Sequence, residues 1–414
     1  MSCLPTLLLV SATLLPTQIE SPRLARLAES HDETALTAFW REIEGKAPLV
    51  EPIPGTSEHV LVTFVWRGDA ATERVALGGG MPEGCDEKPL QNLAGTDLWY
   101  RSERIPAGAR FGYRFRPNGP AEDPRNYDEI NARERDYPTK PDPLNPLTHP
   151  LDGSMVRLSP AAPLPAEGHQ LRGKVQESTI ESAALGGTRP LWIYTPPEHD
   201  SSPKENDLLV VLDGLVGVRG LRVPALLEEL MARGAIQPTV AVFIGNPSPM
   251  VRAVDFMAST KFVDFLATEL VPMIRTRYRV TRSPAAIAGV SLGGFAATFA
   301  AYTRPDVFGS VISLSGGHWY HPGWRTEPVT PSTRTGWLTR RFAEAPPKPL
   351  RVFLAVGTME AACPFPYLAE NRRLADVLTA LGYPVRYVEF NGGHSVENWL
   401  LQMPAALEFV LGRP

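Results

Sequence analysis

A serine with glycines two residues before and two residues after it stands in Gly289-Val290-Ser291-Leu292-Gly293, directly behind the apolar run 286–288. A serine hydroxyl is a poor nucleophile at neutral pH, so chemistry there needs an exposed oxygen and a base to take its proton. The G-x-S-x-G spacing supplies the exposure. It reads as a nucleophile elbow, in which a strand turns sharply into a helix and lifts the serine clear of the sheet. The turn strains the serine backbone, and side chains at the two flanking positions would collide across it. Good helix formers follow from Gly294 through 301. A Gly-rich turn without chemistry is the ordinary alternative for so short a match.

In the α/β-hydrolase order the nucleophile, the acid and the histidine follow one another along the chain. His394 lies in Asn391-Gly392-Gly393-His394-Ser395, just past a strand expected at 385–390, where a loop can bring an imidazole over the serine. A solvent-facing loop histidine is the plain alternative. His318 and His321 come soon after the elbow and read as pocket or surface residues. The acid should follow the preceding strand, expected at 352–356, which leads into Gly357-Thr358-Met359-Glu360. A carboxylate there would accept the imidazole Nδ1 proton, fix the tautomer and stabilise the imidazolium. Glu360 is therefore the expected acid, a charge at a helix N-terminus being the plain alternative. Glu370 and Asp376 fall on the following helix, the wrong place. An oxyanion hole needs two amide N–H groups, one from Leu292 and one from the loop Asp213-Gly214-Leu215. Gly214 is expected to take the unusual backbone; the inward-pointing amide, Gly214 or Leu215, stays open.

The elements that must position these groups are legible in outline. Near-continuous apolar strands at 191–194, 208–212, 240–244, 286–288, 311–314, 352–356 and 385–390 alternate with helical patterns at 224–233, 260–278 and 367–381. That alternation predicts an α/β-hydrolase domain, 176–414, with a mostly parallel sheet covered on both faces. Before it, a helical pattern from 22 to 50 gives way to short β-branched and aromatic strands at 59–66, 75–77, 97–101 and 111–115. Residues 22–118 thus predict a helix plus a small all-β, immunoglobulin-like sandwich. The stretch 119–175 is rich in Pro, Asp, Asn and Arg and reads as a linker.

The 414-residue chain is 43% hydrophobic and 21% charged, an ordinary globular composition. A formal charge of −4 argues against nucleic acid or an anionic membrane as the main partner. No segment reaches the length of a membrane span. Residues 1–21 contain an apolar run of signal-peptide length, without a preceding basic residue or a clean cleavage site. Cys3, Cys85 and Cys363 show no sequence reason for a bridge, and neither a metal-ligand set nor a thiol nucleophile stands out.

Several motifs taken together are similar to the enterochelin (enterobactin) esterase family of esterase D-like α/β-hydrolases. The N-terminal half carries VTFVWR at 62–67, LAGTDLW at 93–99 and DPLNP at 142–146. The C-terminal half carries VLDG at 211–214, AGVSLGG at 288–294, PDVFG at 305–309, LSGGHW at 314–319 and GGH at 392–394 ahead of Trp399. The resemblance implies a serine esterase that opens the trilactone of ferric catecholate siderophores, with Ser291 and His394 as the matching residues. It implies no cofactor, iron entering only as part of the substrate. It also makes Arg252 and Trp319 substrate-binding candidates, since a ferric tris-catecholate is strongly anionic. A salt bridge from Arg252 to Asp255, within one helical turn, is the alternative. Leu215 departs from the family, in which an acidic residue often follows Asp-Gly, and 253–256 is more apolar. Feruloyl or acyl-sugar esters therefore remain alternative substrates, and ligand binding without turnover a third reading. The sandwich is expected either to wall the active site or to serve packing. The family implies a cytoplasmic location, the apolar start a periplasmic or secreted one.

Overall fold

The computed structural model describes residues 19–30, 32–79, 87–122, 127–158, 164–322, 336–361 and 365–412. The expectations for residues 1–18 and for the three cysteines lie outside these.

The C-terminal half is built on an eight-stranded sheet. Its strands are β1 (Lys174–Ser182), β2 (Gly187–Thr195), β3 (Asp207–Leu212), β4 (Thr239–Ile244), β5 (Ala285–Val290), β6 (Phe308–Leu314), β7 (Arg351–Gly357) and β8 (Val385–Phe390). They are ordered 1-2-4-3-5-6-7-8. The pairs β1·β2 and β2·β4 are antiparallel, and every pair from β4 to β8 is parallel. Strand β1 escapes a search for apolar runs because its KVQESTIES sequence is an edge strand largely open to water.

The inner strands are buried on both faces because helices cover both. Alternate residues part company, as a period of two requires. Leu208, Val210 and Leu212 of β3 join one apolar layer, and Leu209 and Val211 join the other. Helices α1 (Val223–Ala232) and α5 (Val396–Leu411) cover the second layer. Helices α2 (Pro249–Phe256), α3 (Leu292–Thr303) and α4 (Tyr367–Ala380), with the helical run 260–277, cover the first.

The N-terminal half pairs two antiparallel sheets. One runs Leu49–Pro52, His59–Arg67, Leu98–Pro106, Gln91–Asn92, and the other Lys88–Pro89, Val75–Gly79, Arg110–Pro117, Gly153–Arg157, Thr148–His149. Their inner faces share Phe64, Ile105, Phe111, Tyr113 and Phe115, with Phe64 and Tyr113 edge to face at 4.8 Å. Two helices, Pro22–Ser30 and Glu33–Ile43, pack against the first sheet.

The stretch 119–175 is more than a linker. Its strand Gly153–Arg157 extends the second sheet beside Arg110–Pro117. The buried Asp142 accepts a 2.6 Å hydrogen bond from the Tyr113 hydroxyl, so DPLNP is packed into the sandwich. These strands are two and five residues long and set among prolines, too short to show periodicity.

Candidate active site

The chain leaves β5, passes through Ser291 at φ 56° and ψ −126°, and enters α3 at Leu292. A non-glycine residue at positive φ is costly, so the turn is a strained one set by its surroundings. The two flanking glycines have separate steric reasons. A Cβ on Gly289 would lie 2.2 Å from the Gly293 carbonyl oxygen, whereas a Cβ on Gly293 would lie 3.0 Å from Asp213 Oδ2. The Ser291 amide donates to Leu314 at 2.9 Å, and its carbonyl accepts from Gly317 at 2.9 Å. The elbow is thereby pinned to the end of β6.

Three side chains from three strand ends meet here. His394 Nε2 lies 3.0 Å from Ser291 Oγ, and His394 Nδ1 lies 2.7 Å from Glu360 Oε2. Glu360 is 1% exposed. Its other oxygen accepts from the Gly357 amide at 2.8 Å and from the Ser315 hydroxyl at 2.6 Å. Ser315 Oγ in turn accepts from Trp399 Nε1 at 2.9 Å. The relay thus runs from an indole N–H through Ser315, Glu360 and His394 to Ser291. The Glu360 oxygen beside Nδ1 accepts from it, which makes Nδ1 the protonated nitrogen and leaves Nε2 to accept from serine. Two aromatic rings also pack against the imidazole, Tyr367 with ring centroids 4.7 Å apart and Trp399 at 4.8 Å edge to face.

The loop after β3 carries its strain at Asp213 (φ 58°), not at Gly214 as expected. Gly214 is required for space instead, since a Cβ there would lie 2.8 Å from the Trp192 ring. Asp213 is held by Arg252, whose Nε and Nη2 donate to its two oxygens at 2.6 Å each, and by Asn246 Nδ2 at 3.1 Å. The alternative partner expected for Arg252 is corrected too. Asp255 pairs with Arg189 at 3.0 Å, and Arg252 with Asp213. Leu215 in this loop is 46% exposed, and Met250 and Val254 on α2 are 37% and 62% exposed.

Trp319 is buried, stacked on Phe365 at 4.0 Å and edge-on to Tyr367 at 6.1 Å. Tyr367 escaped notice in the sequence, where it is one aromatic opening a helix. Burial pushes its phenol above the ordinary range, and hydrogen bonds toward Ser291 and Trp319 pull it back. Ser315 sat unremarked within the LSGGHW motif. His318, far from being a surface residue, is fully buried, with Nε2 3.1 Å from Ser313 Oγ. Among the described residues no cluster of His, Cys, Asp or Glu could hold a metal ion, and no helix is long and apolar enough to cross a membrane.

The family model described as "Putative esterase" matches residues 182–410, and the model for the N-terminal domain of enterochelin esterases matches 61–167. Iron(III) salmochelin esterase of Escherichia coli O6:H1 is 28% identical over 398 residues, covering 93% of this chain and 95% of that one. Iron(III) enterobactin esterase of Escherichia coli K12 is 25% identical, covering 82% and 88%. The crystal structure of the Shigella flexneri enterobactin esterase in the presence of 2,3-dihydroxy-N-benzoyl-serine aligns with a TM-score of 0.66 at 25% identity. It covers 90% of this chain and 97% of that one.

Proposed function

This chain belongs to the enterochelin esterase family and is a carboxylic ester hydrolase; we propose that it opens the lactone esters of a catecholate siderophore, so that the bound iron can be released. The observation that carries the reading is the hydrogen-bonded chain from Ser291 through His394 to Glu360, in a protein that shares both its domains with siderophore esterases.

In this reading Ser291 Oγ attacks the ester carbonyl while His394 Nε2 takes its proton. Glu360 holds Nδ1–H and stabilises the imidazolium. Negative charge on the tetrahedral oxygen is met by the Leu292 amide, at the positive end of α3, and by an amide of Gly214 or Leu215. Collapse expels the alcohol, which receives the proton from His394. Water, activated by the same imidazole, then releases the acid and restores Ser291. No cofactor takes part, and ferric iron enters only with the substrate. Trp319 and Tyr367 form the wall beside the serine that the acyl group meets. The N-terminal module is taken as an immunoglobulin-like sandwich over residues 22–158, followed by a connection into the hydrolase domain.

Arg252 favours a second reading. Its guanidinium serves Asp213, and Leu215 in that loop is exposed and apolar, although Arg219 stands exposed four residues on, so a less anionic acyl ester such as a feruloyl ester is the second candidate. Turnover of ferric and iron-free enterobactin, with the linear fragments resolved by mass spectrometry, tests both readings beside aryl acetates and methyl ferulate. Linear fragments are expected. Aryl and feruloyl ester cleavage without any trilactone opening would overturn the siderophore assignment.

A further inference from the structure

The segment that carries His394 is fastened by the other domain as well as by its own, in which Asn398 Nδ2 donates to the Gly393 carbonyl at 2.9 Å. Arg110, the first residue of the sandwich strand Arg110–Pro117, forms a parallel β-bridge with Gly392. Its amide donates to the Asn391 carbonyl at 3.4 Å, and its own carbonyl accepts from the Gly393 amide at 3.3 Å and Asn398 Nδ2 at 2.8 Å. Asn391 Nδ2 donates to the Ala107 carbonyl at 2.9 Å. The residues just before the histidine therefore hang from a sandwich strand.

The residues just after it are fastened as well. Helix α5 begins at Val396, and its N-cap residue Ser395 makes no capping bond with its side chain. Asp152 of the sandwich caps the helix instead, its two oxygens accepting from the Val396 amide at 3.0 Å and the Glu397 amide at 3.2 Å. A carboxylate there also suits the positive end of the helix dipole. Glu397 in the first turn is completely buried, and Arg157 of the sandwich binds both its oxygens at 2.7 to 3.1 Å. Arg110 Nη1 adds a fourth contact at 3.4 Å. A buried carboxylate needs such partners, so this ion cluster is a rigid one.

The acid is tied to the same body. Met359, the neighbour of Glu360, is buried in the apolar core between the two sandwich sheets, and its amide donates to the Gly392 carbonyl at 3.1 Å. By contrast, the contacts that pin Ser291 come from β6 and α3 of its own domain.

We propose that the N-terminal sandwich sets the position of the His394–Glu360 pair against Ser291, with Asp152, Arg110 and Arg157 as positioning residues acting across the domain boundary. This rests on the serine esterase reading above. Two glycines precede the histidine and give the loop little stiffness of its own, so its register comes from what it is fastened to. A shift of about 1 Å in such a base is enough to cost up to ~100-fold in rate.

The test uses the full chain, a small aryl acetate and a fluorophosphonate that labels Ser291. In Asp152→Ala and Arg157→Ala, kcat should fall about 10- to 100-fold at unchanged KM, and labelling should slow by the same factor, because both steps need His394 as base. Asp152→Asn, which keeps one acceptor oxygen, and Arg157→Lys should recover part of the loss. They also serve where the alanine variants do not fold. Ile43→Ala, which loosens the helix packed on the outer face of the first sheet, in a core separate from the one that holds Met359, should lower Tm and leave kcat unchanged when measured well below that Tm. The proposal is overturned if Asp152→Ala and Arg157→Ala lower Tm but keep wild-type kcat and labelling, or if Ile43→Ala lowers kcat as much as they do. A wild-type protein that neither cleaves the aryl acetate nor takes the label would instead overturn the serine esterase reading.

Discussion

The two halves of the proposed catalytic site are held in place by different means. On the serine side everything is local: Gly289 and Gly293 make room, β6 accepts the Ser291 amide, and Arg252 clamps Asp213 within the same domain. On the histidine side the grip comes from residues 240 and more positions away in sequence, on a separate β-sandwich. The difference follows from the backbone each side uses. An elbow between a buried strand and a buried helix has no freedom left, whereas a Gly-Gly loop leaving the last strand of the sheet has a great deal. A nucleophile can be oriented by its own strain; a base on a loose loop needs an outside support.

Substitutions on the serine side can break or sharpen this contrast. Ser291→Ala should reduce kcat to background, a loss of about a million-fold, and abolish fluorophosphonate labelling. Labelling that persists would remove Ser291 from its role. Arg252→Lys cannot reproduce the two-pronged grip on Asp213, so the oxyanion loop should relax and kcat fall about 100-fold. Combined with Asp152→Ala, the two losses should multiply, because the two sides are independently held. A double variant no worse than either single one would show that the two sides move as one.

Tyr367→Phe keeps the ring against His394 and removes only the hydroxyl, so kcat should drop about fivefold with the pH profile preserved. The mildest test reads stability. A histidine in the unfolded chain titrates near 6.5, while complete burial holds His318 down to about 3. Between those values the unfolded chain binds the extra proton, so stability present above pH 6.5 is lost as the pH falls toward 3, by about a few kcal/mol in all. Urea melts at pH 7 and pH 4.5 should show that loss, and His318→Gln should flatten the slope.

The doubly covered sheet was legible because buried parallel strands are continuous apolar runs, and the helices between them repeat their apolar positions. Ser291, His394 and Glu360 were legible because each sits at the end of such a run, where a hydrolase sheet presents its loops. The strands at 148–157 were not, since two to five residues among prolines have no period. The partner of Arg252 was misjudged because spacing along a helix favoured Asp255, and Asp213 lies on a different strand end. Tyr367 and Ser315 carried no signal of their own; they matter through what the fold sets beside them.

Sequence alone therefore determined the inner strands of the hydrolase sheet, their order, several of the helices between them and the three residues that meet at strand ends, because apolar periodicity and turn chemistry are local properties of the chain. Only the tertiary structure decided where the backbone strain falls, what Arg252 grips, and that a sandwich strand and the Asp152 carboxylate support the histidine loop. Those are contacts between residues far apart in the chain, and their geometry exists only once the two domains have packed.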